Sequence, residues 1–472
     1  MSTQVAGPCD TGVAAAMRPV STRYPEITLA ATILGSSVAF IDGSVVNIAL
    51  PALQAGLGVP DAMLSWTINA YLLPLGALIL LGGGAGDRYG RRRLFQTGLL
   101  LFAAASLLCA VSSNFRYLLM GRGLQGLGAA LLLPNSLAIL GASFRGEEQG
   151  RAVGTWAAVG ALAGALGPLI GGWLIDVAGW QTIFLINLPI ALVAGYLTHR
   201  YVEESGSEDT GPLDWLGATV VTLGLVAITW SLTASSGPRG GGLVWAIGVG
   251  GAGMLALFVG IEHRRRERAI MPLTLFATTS FAGLTLLTFF LYASLGGLLV
   301  LLPFLLIRVG GYSAIAAGAA ILPLPIVIGL GSRLMGRMTG RYGGRWLLTI
   351  GAVVVACGLA LFLRVDVAVE YWQDIFPPVL LVAIGMGISV APLTTSVIAS
   401  VDRQHVGAAS GFNSAVARVA GLIATALLGY VWALQGSNEA FIAGFRAAAL
   451  VGAVSALIAA MSALVLVRAP RA

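Results

Sequence analysis

Runs of about 20 mostly apolar residues recur along nearly the whole chain, and no other feature limits its fold so tightly. At a rise of about 1.5 Å per residue such a run matches the hydrocarbon thickness of a bilayer, where a helix satisfies its own backbone. Of the 472 residues 57% are hydrophobic and only 10% charged, so the expected class is an all-α polytopic membrane protein rather than a soluble one. Spans are expected at 27–50, 62–83, 94–113, 116–141, 152–174 and 181–200. Two more follow at 214–234 and 243–261, and six at 280–306, 313–335, 346–363, 374–399, 406–433 and 441–467. Residues 1–26 are polar and read as a tail, because the apolar run behind them carries Asp42 and has no small-residue cleavage pattern. The formal charge of +7 therefore speaks to membrane topology and not to nucleic acid. All 27 basic residues are arginine; twenty fall on the side of the tail, five on the other, and Arg122 and Arg418 inside spans. Positive charge is retained on the cytoplasmic face, so both termini are expected there, in the plasma (inner) membrane.

One hydrophilic knot interrupts the apolar pattern early. Gly82 to Arg93 reads as a short cytoplasmic loop, with Asp87, Arg88 and Arg91 to Arg93 among five glycines and an alanine. Its pattern Gly83-x3-Asp87-Arg88-Tyr89-Gly90-x-Arg92 returns as Gly336-x3-Gly340-Arg341-Tyr342-Gly343-x-Arg345, offset by 253 residues. Six spans would then form one repeat, with the central pair inserted. The organisation expected is a tail at 1–26, a six-helix bundle at 27–200, an acidic linker with two inserted helices at 201–262, in which the run from Glu203 to Asp209 reads as a solvated face, a basic linker at 263–279, a second six-helix bundle at 280–468 and a cytoplasmic end at 469–472. Internal repeats with a site between them are characteristic of secondary transporters.

Gly-Asp-Arg-Tyr-Gly-Arg-Arg resembles the loop signature of the major facilitator superfamily. Phe40 to Pro51 (Phe-Ile-Asp-Gly-Ser-Val-Val-Asn-Ile-Ala-Leu-Pro), Gly121 to Ala130 (Gly-Arg-Gly-Leu-Gln-Gly-Leu-Gly-Ala-Ala) and the Gly-Pro-Leu-Ile-Gly-Gly run ending at Gly172 resemble its fourteen-span drug:proton antiporter branch. Trp66-x4-Tyr71 and Gly407-x3-Gly411 also fit, while Ala163 stands where that branch has glycine. The resemblance implies two six-helix bundles plus two central helices, export of small amphipathic or drug-like molecules against protons, and alternating access. It further implies a charge relay at Asp87 and its neighbouring arginines that holds the bundles in the outward-open state. The gating set is Gly83, Asp87, Arg88, Gly90, Arg91 and Arg92, with Arg341, Gly343 and Arg345 in the second copy.

Asp42 is the one carboxylate expected well inside an apolar span, where ionisation is costly unless the charge is paired. It is either a packing residue beside Gly43 or a protonation site. Measured from the ends of their spans, Asp42 and Arg122 both lie roughly 10 Å deep and are placed to meet. A neighbouring guanidinium favours the carboxylate and desolvation opposes it, so a change of conformation can load and release a proton. Snorkelling to the headgroups is the other role open to Arg122. Gln125, one turn on from Arg122, is a candidate for lining the same substrate cavity; Asn47 and Asn69 either face that cavity or bridge helices; and Arg418, accompanied by Asn413 and with no membrane-embedded acid in its half, is either a binding-site contact for a polar or anionic group or is held by carbonyls of neighbouring helices. Gly160, Gly164, Gly167 and Gly171 fall on one helical face, which with Pro168 and Gly172 forms an expected packing and hinge element.

Cys9, Cys109 and Cys357 suggest neither a disulfide framework nor a metal site. No phosphate-cradling Gly-x4-Gly-Lys-Ser/Thr loop is present, and no cluster of acid, base and nucleophile, so neither ATP-driven pumping nor an enzyme is expected. No cofactor is expected beyond the proton gradient. The partners expected are a small-molecule substrate, protons and membrane lipids, with a monomeric chain. A single buried acid favours neutral or monocationic substrates over multivalent cations. An exporter dedicated to one metabolite, an uptake symporter and a non-transporting sensor are the alternatives.

Overall fold

The computed structural model describes residues 23–60, 63–206, 213–235, 241–265, 273–401, 406–433 and 437–467. Among these, fourteen helices are long and apolar enough to cross a membrane. The first six are α1 (Pro25–Leu57), α2 (Ser65–Tyr89), α3 (Arg91–Ala110), α4 (Phe115–Ser143), α5 (Gly146–Ala178) and α6, in two parts Thr182–Leu185 and Asn187–Tyr201. The central pair is α7 (Trp215–Ser235) and α8 (Gly242–Arg265). The last six are α9 (Thr279–Phe304), α10 in two parts Ala314–Ile321 and Pro323–Tyr342, α11 (Gly344–Leu361), α12 (Phe376–Ala399), α13 (Val406–Leu427) and α14 (Asn438–Leu466).

Local chemistry sets many of the ends. Pro25 opens α1, where its missing N–H costs nothing, and Gly58 closes it at φ 60 with its N–H donating to the Gln54 carbonyl. The Asn114 side chain caps α4 by accepting from the Arg116 and Tyr117 amides. Thr278, Ser313 and Ser437 cap α9, α10 and α14 in the same way.

Several helices outrun the apolar slab. The expected loop at 82–93 is reduced to one residue: α2 continues to Tyr89 and α3 begins at Arg91, with Gly90 between them at φ 106. Polar residues at a helix end keep their backbone bonds and lose nothing by leaving lipid, so the hydropathy boundary falls short of the true one. The second copy repeats this geometry, with Gly343 at φ 75 between α10 and α11. Both positions favour glycine because other residues are strained there.

Helices α1 to α6 pack on one another, as do α9 to α14. The two groups meet along α2 with α13, α5 with α10, and α1 with α9. Helix α7 lies against α8, α2 and α13. Helix α8, by contrast, exposes most of an almost wholly apolar surface, as expected for a helix facing lipid.

Candidate functional site

Five helices of the first group converge on Asp42, which is fully buried on α1. From α4, Arg122 approaches with Nη1 2.5 Å from Asp42 Oδ2. Its Nε donates to the Thr67 carbonyl on α2 at 3.0 Å, and Nη1 also donates to Gln125 Oε1 at 2.7 Å. Gln125 Nε2 donates to Asp42 Oδ1 at 3.1 Å and to the Ser106 hydroxyl on α3 at 2.8 Å. Asn187, at the start of the longer part of α6, donates to Asp42 Oδ1 at 3.4 Å. The guanidinium also stacks over the Tyr71 ring, 4.5 Å from its centroid. Arg122 is 1% exposed and so does not snorkel to a headgroup. A buried ion pair is tolerable only when its remaining donors and acceptors are satisfied, and here Gln125, Thr67 and Asn187 supply those bonds.

Gln125 therefore belongs to this closed network and not to an open cavity. Asn187, Ser106 and Thr67 escaped the sequence reading, since a lone asparagine, serine or threonine in an apolar span carries no signal of its facing.

A cavity of about 200 Å³ lies between the two groups, lined by α1, α5, α9 and α10. Ser44 and Asn47 of α1 give it polar atoms, and Leu295, Leu299, Ile321 and Ile328 give it an apolar wall. Asn413 is engaged within the second group, where its Oδ1 accepts from the Thr288 hydroxyl at 2.6 Å. Asn69 is fully buried on α2, with neither amide atom hydrogen-bonded, so it bridges no helices here. Arg418 on α13 packs against Gly76 of α2, and its Nε lacks a hydrogen-bond partner.

The glycine face of α5 turns to α1. A Cβ on Gly160 would stand 2.6 Å from the Phe40 ring, and one on Gly167 would stand 3.2 Å from the Ile41 carbonyl. Gly164 and Gly171 face Phe40 and Val45 on the same helix. The helix runs unbroken through Pro168. Gly172 and Pro168 instead touch α10, at Ala314 and Gly318. Beyond them Asp176 crosses between the groups: its carboxylate accepts from the Ala314 amide at 3.2 Å and the Ile315 amide at 3.0 Å, capping α10. The sequence reading did not single out Asp176, because its partner is a backbone terminus 138 residues away.

At the opposite end Asp87 pairs with Arg91 across the Gly90 break, Oδ1 to Nη2 at 2.8 Å. Arg91 also reaches the Ala138 carbonyl on α4. Both partners belong to the first group. The acidic stretch after α6 was expected to be a solvated linker. Glu204 corrects that expectation: its carboxylate accepts from the Arg92 amide at 2.9 Å and the Arg93 amide at 3.2 Å, at the N-terminus of α3. A Cβ on Gly90 would stand 2.7 Å from that carboxyl, a second reason for glycine. Gly83 lies against Pro134 of α4, while Arg88 stacks on Tyr89 and Arg345 on Trp346. Arg341 falls in the last turn of α10.

Asp42 is not the only deeply buried acid. Glu262 on α8 is fully buried and Asp214 is 2% exposed. Asp214 accepts from the Gly217 amide at 2.7 Å and pairs with Arg265, closing the base of the central helix pair. Asp214 is the first residue of the expected span 214–234, and Glu262 directly follows the expected span 243–261. Among the described residues no group of three His, Cys, Asp or Glu side chains is placed to hold a metal ion.

Residues 32–425 match the family model described as Major Facilitator Superfamily. The multidrug resistance protein Stp of Mycobacterium tuberculosis (strain CDC 1551 / Oshkosh) is 33% identical over 421 residues, covering 87% of this chain and 76% of Stp. The puromycin resistance protein pur8 of Streptomyces alboniger is 33% identical over 407 residues, covering 85% of this chain and 80% of pur8. The methylenomycin A resistance protein of Bacillus subtilis (strain 168) is 32% identical over 406 residues, 84% of this chain and 85% of that protein. Among solved structures, a bacterial homologue of the human lysosomal transporter Spinster, inward-facing and unoccupied, superposes with a TM-score of 0.65 at 17% identity, covering 95% of this chain and 98% of its own. A D-xylose-proton symporter gives a TM-score of 0.65 at 15% identity over 94% of this chain and 98% of that one, a likeness of fold.

Proposed function

The chain belongs to the Major Facilitator Superfamily, and from that premise we propose that it is a proton-coupled exporter of small amphipathic or drug-like molecules working by alternating access. It is a multi-pass membrane transporter and not an enzyme. The relatives that carry resistance to puromycin, to methylenomycin A and to multiple drugs support export of antibiotic-like molecules.

The observation that carries proton coupling is the enclosed Asp42 carboxylate with Arg122 against it. Charge on Asp42 and closure of its network reinforce each other: the ionised acid draws Arg122, Gln125 and Asn187 inward, while a neutral acid loosens them. A proton arriving at Asp42 thus biases the packing of α1 against α4, and α1 also borders the cavity between the groups. With the arginine-rich loops in the cytoplasm, the Asp176 cap on α10 lies at the outer end. In this conformation it ties the halves together there, while Asp87 keeps to its own half. The Gly90 loop then acts as a latch whose cross-bundle partner is engaged in the other state.

Asp42→Asn is expected to abolish transport driven by an imposed proton gradient in inverted vesicles while the chain still inserts. Undiminished coupled transport by that variant would remove Asp42 from the mechanism.

A further inference from the structure

Arg418 is a charge in the membrane interior with no counter-charge beside it among the described residues. Its Cβ would lie 3.6 Å from a Cβ placed on Gly76, an ordinary contact distance, so α13 packs the base of this side chain against α2. Its Nε has no hydrogen-bond partner, and among the described residues no carboxylate forms an ion pair with it. Its electrostatic neighbours are Tyr71 and Tyr292. The Tyr71 hydroxyl is occupied, since it donates to the Ala39 carbonyl at 3.3 Å. Asp42 is bound by Arg122, Gln125 and Asn187 and is fully buried. A guanidinium at this depth is costly, and its planar fork of donors matches the two oxygens of a carboxylate.

Helix α9 connects it to the cavity, whose lining does not itself include Arg418. Tyr292, Leu295 and Leu299 lie three and four residues apart on α9, one helical face, and the two leucines line the 200 Å³ space between the halves. One turn of helix, about 5 Å, separates the Tyr292 layer from that wall. Among the described residues no acid lines the cavity; its polar side chains are Ser44 and Asn47, and its walls are otherwise aliphatic, glycine or proline. An apolar body fits there, with a charged end one turn away at Arg418.

We propose that Arg418 receives an anionic group of the substrate, so that the favoured cargo is an amphipathic organic anion, an apolar body carrying a carboxylate or a similar oxyanion. This rests on the transport reading above and replaces its expected preference for neutral or monocationic molecules. The same chemistry exists on anionic lipid headgroups, and the test separates the two sources.

The full-length protein in phosphatidylcholine nanodiscs is titrated with 1-naphthylacetate and with 1-naphthylacetamide, which share a body and differ in charge. The wild type is expected to bind the acid at least tenfold more tightly than the amide. Arg418→Gln is expected to bind both alike, and Arg418→Lys to keep part of the preference. Equal binding by the wild type, no binding of either probe, or an intact preference in Arg418→Gln overturns the assignment. If the glutamine variant does not fold, the wild-type preference and its reduction in Arg418→Lys decide. Added phosphatidylglycerol is expected to leave binding of the acid unchanged; its loss would reassign Arg418 to lipid. Because binding needs no proton gradient, a protein that binds the acid but carries nothing under an imposed gradient would fail as an exporter and keep this site.

Discussion

Arg122 and Arg418 are both arginines within membrane spans, one in each half, and they stand in opposite surroundings. Arg122 is closed in by a carboxylate, a glutamine, a backbone carbonyl and the Tyr71 ring. Arg418 packs on a glycine, and its Nε is left without a partner. A charge whose every bond is supplied by the protein is a structural and switching element. A charge whose bonds are left open is available to something that comes and goes. The repeat that built the halves therefore did not duplicate their chemistry: one half holds a closed, buried ion pair and the other an arginine whose Nε has no partner.

The largest expected effect tests the first member of that contrast. Asp42→Asn should lower proton-driven transport by at least a hundredfold in reconstituted vesicles, while gradient-independent counterflow of the same substrate survives; loss of both would mean a collapsed protein instead. Arg122→Ala removes one partner of a buried pair and should cost about 3–5 kcal/mol, read as a large drop in melting temperature. Arg418→Ala should change that temperature far less, and equal losses would erase the contrast. Gly90→Ala meets both a left-handed backbone and the Glu204 carboxyl, so about 1–3 kcal/mol of strain is expected, again by thermal melting. Asp176→Ala deletes a helix cap between the halves, at about 1 kcal/mol. Its signature is an increase in thiol labelling of a cysteine placed at Ile315, and unchanged labelling would deny Asp176 a share in holding that end shut. The smallest effect is Asp87→Asn, whose half-buried i,i+4 pair with Arg91 is worth about 0.5 kcal/mol. A shift in inward–outward labelling without a stability change would mark it as a latch, with Gly340→Asp nearly silent.

Much of the molecule was legible in the chain because lipid imposes one solution on each apolar run. The spans around Phe40, Gly121 and Pro168 could be placed from composition and motif together, and the paired glycines at 90 and 343 from the repeat alone. Asp42 and Arg122 fall at one level in the sequence because rise per residue is fixed. Asn187 and Ser106 carry no such mark, because helices that are apolar nearly all round keep little record of which face meets which neighbour. Glu204 departs from expectation, and the burial of Glu262 went unforeseen, for a related reason. Hydropathy treats a charged residue at a span end as solvated, yet a helix N-terminus or a neighbouring helix can enclose it.

By itself the sequence determined the class, the number of helices and their order, because the cost of an unsatisfied peptide group in hydrocarbon leaves a run of that length no other form. It also determined where backbone reversal is cheap, at Gly90 and Gly343. Only the tertiary structure decided which polar residues became partners. Asp42 and Arg122 are 80 residues apart, and Asp176 and the Ala314 amide 138. Those pairings depend on how each helix is rotated and how far it slides against its neighbours. Side-chain packing fixes both, and the same packing closed the network around Arg122 and left the Nε of Arg418 without a partner.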